Sequence, residues 1–200
     1  MAKLKEIETK WIAEKVDRYK FNVQMTNFLK ANKFKYNRIK VAGFDYYYSS
    51  KNGDVVRHRV SPNTNELTIK ARLDANSTTI RTEKNLIASK QTSVVDVAQF
   101  MQLLGIRHEF EIYKSCDIYF IHDGRAEISI VWYKVKKSRC RDRIFLEVEV
   151  HNVGEKDSMK LLNKWSKAMY SLVGLSDADV INESLYEIYS GRRYKMTKAI

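Results

Sequence analysis

Two hundred residues, 44% hydrophobic and 30% charged, suit one soluble domain that buries its own core, and they exclude a disordered chain. Thirty-six Lys and Arg against 24 Asp and Glu give a formal charge of +12, which favours anionic partners such as nucleic acid, polyphosphate or nucleotide without choosing among them. Two cysteines, Cys116 and Cys140, are too few for a disulfide framework; no run of about 18 apolar residues offers a membrane span; and the charged opening MAKLKEIETKW is unlike a secretory leader, so a cytosolic setting is expected.

In chain order, the hydrophobic pattern predicts a strand over about 4–13 and a helix over 14–31. Strands follow over 35–49, 54–61, 66–73 and 77–85, then a helix near 93–104. Further strands are expected over 108–121, 126–136 and 142–152, and helices over 156–173 and 177–190. Turn clusters separate the strands: SSKNGD, SPNTNE, LDANST, HDG and KKSRCRDR. With one proline, Pro62, and seven glycines there is little linker material. The expectation is a single domain over 1–190, with a basic tail over 191–200. Its class is α+β: a closed eight-stranded antiparallel β-barrel with helices packed outside.

Successive side chains of a strand point to opposite faces. Glu6, Glu8 and Lys10 therefore share one face, against Ile7 and Trp11 on the other. Arg57 and Arg59 oppose Val56 and Val60, Lys70 and Arg72 oppose Leu67, Ile69 and Ala71, and Arg81 and Glu83 oppose Ile80. Glu147 and Glu149 oppose Leu146, Val148 and Val150. One such strand alone is an ordinary half-exposed strand with a solvated charged face. Two ExE pairs far apart in sequence, with paired cations on the strands between them, form a constellation, because like carboxylates at i and i+2 repel unless something neutralises them. If helices cover the apolar face, the charged face points into the barrel. Four converging carboxylates can hold one or two hard divalent cations through oxygen, as Mg²⁺ or Mn²⁺ require. Lys and Arg around them can neutralise phosphate oxygens.

The same residues resemble a known family. EIETKW resembles the ExExK signature of the CYTH domain, the fold of the triphosphate tunnel metalloenzymes. FDYYYSSKNGDVVRHRV, ELTIKARL, TTIRTEK, FLEVEV and ESLYEIYSG resemble that family's later segments, in family order and over nearly the whole chain. The resemblance implies an eight-stranded antiparallel tunnel with a charged interior that binds a triphosphate with Mg²⁺ or Mn²⁺. It implies a metal-dependent triphosphatase acting on tripolyphosphate, a nucleoside triphosphate or a triphosphorylated RNA end. The alternatives are a class IV adenylyl cyclase making cyclic AMP from ATP, and a non-catalytic triphosphate or RNA 5′-end binding protein. By resemblance, Glu6, Glu8, Glu147 and Glu149 hold metal, and with Lys10 they form the catalytic set. Lys10, Arg57, Arg59, Lys70, Arg81 and Lys114 hold phosphates, with Arg72 joining them from the face of Lys70. Glu83 and Glu127 are additional candidates. The chain departs from the pattern at Asn85, where an acid is common, and at Cys116, where an arginine is common.

Cys116 is expected as a buried thiol and Cys140 as a loop thiol. His58 is expected to face away from Arg57 and Arg59, and His151 to share the face of Glu149.

Overall fold

The computed structural model describes residues 5–51, 55–72, 80–151 and 154–191. The chain runs β1 (Lys5–Ile12), α1 (Arg18–Ala31), β2 (Lys35–Ser49), β3 (Val55–Ser61), β4 (Thr64–Arg72), β5 (Ile80–Ile87) and α2 (Val94–Leu103). It continues with β6 (Arg107–Asp123), β7 (Ala126–Lys136), β8 (Arg143–His151) and α3 (Glu155–Val173). A 3-10 turn (Asp177–Asp179), β9 (Val180–Ile181) and α4 (Leu185–Ser190) complete it.

All strands join one large antiparallel sheet in the order β5-β4-β3-β2-β6-β7-β8-β1-β9, and β5 also pairs with β1. On one edge β1 faces β8 from Ile7 to Ile12. Its other edge is shared: Lys5–Ile7 meet β5, and Lys10 and Trp11 meet β9. The expected eight strands are therefore corrected to nine among the described residues. The expected helix over 177–190 is corrected as well. Two capping boxes, Ser176 with Asp179 and Ser184 with Glu187, start two separate turns. Between them the β-branched pair Val180–Ile181 is better satisfied as a strand on β1.

The outer face of β6, β7, β8 and β1 is apolar and covered. Ile7, Trp11, Tyr119, Ile128, Ile130, Trp132, Leu146 and Val148 pack against Phe21, Met25 and Leu29 of α1 and Leu162, Trp165 and Met169 of α3. Both helices carry their apolar residues at three- and four-residue spacing, so one stripe of each is buried. α1 begins at Asp17, whose side chain accepts from the Lys20 amide; α3 ends at Gly174, with φ 69°. A smaller outer cluster joins Tyr48 and Val56 to Val97 and Met101 of α2. Gly43 is required where it stands: a Cβ there would lie 2.3 Å from the Val60 carbonyl oxygen, so only glycine lets the end of β3 bend over β2.

The inner face is divided. Tyr47, Val55, Phe110, Ile112, Val131, Tyr133, Val135 and Phe145 gather with Leu185 and Tyr186 of α4 into a buried apolar cluster. Cross-strand register puts these residues on the same face as Arg57, Lys10 and Glu147. Two expectations are corrected here. The interior is not charged throughout, and α4 packs against inner-face residues instead of lying outside with the other helices. The cause is legible in α4: Leu185, Tyr186, Ile188 and Tyr189 offer too much apolar surface for a solvated helix of six residues.

Candidate active site

The carboxylates converge because β1 and β8 are neighbours in register. Glu8 stands opposite Glu149, and Lys10 opposite Glu147. Like charges directly opposite on a sheet destabilise it, so this pairing calls for a cation. Lys10 supplies part of it: its Nζ is 3.1 Å from Glu147 Oε1 and 4.0 Å from Glu8 Oε1, and all three side chains are buried. Tyr133 donates its hydroxyl to Glu147 at 2.7 Å. Burial, reinforced by Glu147, pushes the Tyr133 hydroxyl well above its ordinary value, so it stays a donor. Glu149 lies 3.6 Å from His151 Nε2, which meets the Ser129 hydroxyl at 3.2 Å. Glu127 is in register with His151, which brings it to the same row of the inner face.

The cations come from the strands across the sheet. Arg59 holds Asp45 through two hydrogen bonds, Nε at 2.8 Å and Nη2 at 3.0 Å. Burial raises the Asp45 carboxyl, but Arg59, with help from Arg57 and Lys114, more than offsets it and holds Asp45 well below the carboxylate range. Arg57 donates to Thr68 at 2.9 Å and lies 3.6 Å from Glu66. Lys114 lies 4.0 Å above the Tyr133 ring. Burial, then the neighbouring Arg59 charge, push the Lys114 ammonium below the usual lysine value. Cys116 is buried on the same face as Lys114, and burial pushes its thiol up. It is buried as expected, and Cys140 is exposed. His58 is buried on the outer face, with Nε2 2.7 Å from Asn65 Oδ1.

Thus Glu8, Lys10, Glu147 and Glu149 come together on β1 and β8, while Arg57, Arg59 and Lys114 come together on β3 and β6. The side chains of Glu6, Lys70, Arg72, Arg81 and Glu83 lie outside the described residues. Their backbone register is described: Glu6 is paired with Arg81, Lys70 with Glu83, and Arg72 with Arg81. Sequence reasoning missed Asp45, Thr68, Ser129 and Tyr133. Asp45 left a signal, since an aspartate inside a long strand is disfavoured unless it has a partner.

Among the described residues, no three His, Cys, Asp or Glu side chains stand close enough to hold a cation by themselves. The donor chemistry nonetheless fits a hard divalent ion. Glu8, Glu147 and Glu149 offer only carboxylate oxygens, and the directly opposed Glu8–Glu149 pair is an arrangement that an added cation relieves.

No protein-family model matches the chain, and no curated protein matches it. Solved structures do. PH1819 protein from Pyrococcus horikoshii OT3 is 20% identical over 94% of this chain and 99% of its own, with a TM-score of 0.66. PH1012 protein from the same organism is 18% identical over 91% and 98%, also with a TM-score of 0.66. A candidate adenylate cyclase from Bacillus halodurans is 15% identical over 92% and 98%, with a TM-score of 0.52. The fold is shared with these three structures, in line with the resemblance read from the sequence. No described helix is long and apolar enough to cross a membrane.

Proposed function

We propose that the chain is a divalent-metal-dependent hydrolase of a triphosphate-bearing substrate, acting within a tunnel closed by the β5–β1 pairing. The observation that carries this reading is the buried row Glu8–Lys10–Glu147, with Glu149 in register beside it, facing a field of Arg57, Arg59 and Lys114. Burying so many charges is costly unless they serve a charged ligand. Pairing of Lys5–Ile7 with Ile80–Thr82 supports closure, because it joins the last strand of the sheet order back to β1.

In this reading Glu8, Glu147 and Glu149, with Glu6, would hold Mg²⁺ or Mn²⁺. When bound, the ion supplies charge neutralisation at the phosphoryl oxygens and a lowered pKa for coordinated water. The protein's own groups do the rest. Lys10 balances Glu8 and Glu147 and offers an ammonium to a phosphate oxygen. Tyr133 fixes the Glu147 carboxylate by donating to one of its oxygens. Asp45 orients the Arg59 guanidinium, and Thr68 and Glu66 orient that of Arg57. Lys114, held over Tyr133, brings a third positive group to the anion. Lys70, Arg72 and Arg81 extend the phosphate grip, and Glu83 and Glu127 help orient it. The apolar α4 region excludes water, which strengthens each of these interactions. In-line attack of water on the terminal phosphorus then releases orthophosphate.

A second reading is supported by the name of the Bacillus halodurans neighbour: a cyclase that closes ATP to cyclic AMP and pyrophosphate. It needs a nucleoside held with its hydroxyl about 3–3.5 Å from the α-phosphorus. Incubation with tripolyphosphate, ATP and 5′-triphosphate RNA in Mg²⁺ or Mn²⁺, with all products resolved, separates the two. Orthophosphate and ADP from ATP support the hydrolase; a cyclic product in stoichiometry with pyrophosphate replaces it with the cyclase.

A further inference from the structure

The outer face of the sheet is covered in two places, by α1 and α3 over β6–β7–β8–β1 and by α2 near the start of β6. Between them a strip of sheet carries no helix among the described residues. Its residues follow from the register. Phe44 of β2 is opposite Val60 and Tyr113, and Tyr113 is opposite Lys136. Lys40 lies four residues along β2 from Phe44, on the same face.

The strip has an unusual composition for a sheet surface. The Phe44 ring is 43% exposed. It is wedged between Tyr113, edge-on at 5.2 Å, and Tyr46, nearly parallel at 6.0 Å. Lys40 and Lys136 are exposed, and neither has an ion pair among the described residues. Of the nearby carboxylates, Asp117 is buried between Arg18 and Arg38 and Asp142 pairs with Lys134 at 2.8 Å, whereas Glu111, opposite Tyr46 and 3.6 Å from the His108 imidazole, is exposed at the far end of the strip from Lys40. What remains is a fixed aromatic platform with Lys40 and Lys136 beside it, on the side away from Glu111. A protein partner would favour the reverse, since lysine is depleted at protein interfaces. An exposed ring between two half-buried ones, beside lysines on a sheet face, suits unstacked bases joined by phosphates.

We propose that this strip binds single-stranded nucleic acid, with bases stacked on Phe44 and Tyr113 and phosphates near Lys40 and Lys136. The surface is independent of the tunnel chemistry, since it lies on the opposite face of the sheet. It also gives part of the +12 charge a use outside the tunnel.

The test is anisotropy of a labelled 12-nucleotide RNA with a 5′-hydroxyl, so that no triphosphate can report tunnel binding. The same oligonucleotide as DNA and as a duplex is measured with the full chain. Single strands should bind in preference to duplex, and affinity should fall as salt rises. Phe44→Ala should weaken binding roughly tenfold or more, and Phe44→Trp should retain it. Lys40→Gln with Lys136→Gln, which leaves every ring in place, should weaken binding and flatten the salt dependence. The RNA and DNA arms tell whether the 2′-hydroxyl is read. Equal binding of duplex and single strand, unchanged binding in the lysine pair variant, or no binding of any oligonucleotide would each overturn the proposal. Circular dichroism of Phe44→Ala and Phe44→Trp ensures that lost binding is not lost folding.

Discussion

Two regions of the inner face are built from the same sheet and solve opposite problems. Along β1, Glu8 and Lys10 are followed by Ile12; along β8, Glu149 and Glu147 are preceded by Phe145. In the first, Lys10 is buried against Glu147, and Arg59 is held by Asp45, which stands in register with the apolar Ile112. In the second, Tyr47, Phe110 and Tyr186 stack at 5.0 to 6.1 Å and the α4 residues fill the space. Apolar packing supplies stability by removing surface from water, whereas a buried ion pair contributes little net stability and marks specificity or function. The inner face thus carries buried charges and an apolar core side by side.

The largest effect should come from the charged region. Glu8→Gln together with Glu147→Gln should lower triphosphate turnover by about 100-fold or more, since each change removes an anionic oxygen while keeping the shape. The melting temperature should also fall, because the buried Lys10 ammonium loses the two carboxylates it pairs with, so turnover is read on protein shown to be folded. Turnover and a thermal melt of the same sample check both halves.

The apolar region should respond in the opposite way. Tyr186→Ala removes a ring that is 5% exposed and should cost roughly 3 kcal/mol, as large-to-small core changes do. For a chain of this length that lowers the melting temperature by about 6–12 °C. The protein that remains folded should keep the cation requirement of the parent. Differential scanning calorimetry measures the loss.

How much of this contrast could be read beforehand depends on its cause. The strand faces of Glu8, Lys10, Arg57 and Glu147 followed from alternation, which is local. The division between charged and apolar regions did not, because a period-two pattern does not say which inner-face residues a distant helix covers. What covers the apolar region is α4, about 40 residues downstream of Phe145, and nothing local in LYEIYS says which face of the sheet it meets. The Asp45–Arg59 clasp joins residues 14 apart across a hairpin, so it needed the register of β2 and β3. Val180–Ile181 read as helix because two residues are too few to display a period.

A medium effect is expected from the cations. Arg57→Ala and Lys114→Ala should each raise the tripolyphosphate KM, by about tenfold, with a smaller change in kcat if they bind ground and transition states alike. Lys114 adds a sign. Burial, then Arg59, lower its pKa, so the ammonium that holds the anion is present at low pH and lost as pH rises through a value below the usual 10.5. Affinity should therefore weaken on the alkaline side earlier than for Lys114→Arg. Binding isotherms across pH resolve the difference.

The smallest effect concerns the clasp itself. Burial opposes ionisation of Asp45, but Arg59 dominates and depresses its pKa. A depressed carboxyl contributes stability that is fully present above its unfolded value, near 3.8, and is lost as pH falls toward the folded value. Asp45→Asn should flatten that acid limb and lower stability at neutral pH. Urea midpoints at pH 3 to 7 for both proteins measure it.

The most direct measurement of the charged region is tripolyphosphate cleavage by the pure protein with Mg²⁺ or Mn²⁺, repeated with excess chelator and with the Glu8→Gln, Glu147→Gln variant. Orthophosphate released with the cation, lost with the chelator and lost in the folded variant is the expected result. Cleavage that persists in the folded variant would contradict the assignment of these carboxylates. A folded parent that neither binds nor cleaves tripolyphosphate, ATP or triphosphorylated RNA with either cation would contradict the tunnel as a triphosphate site.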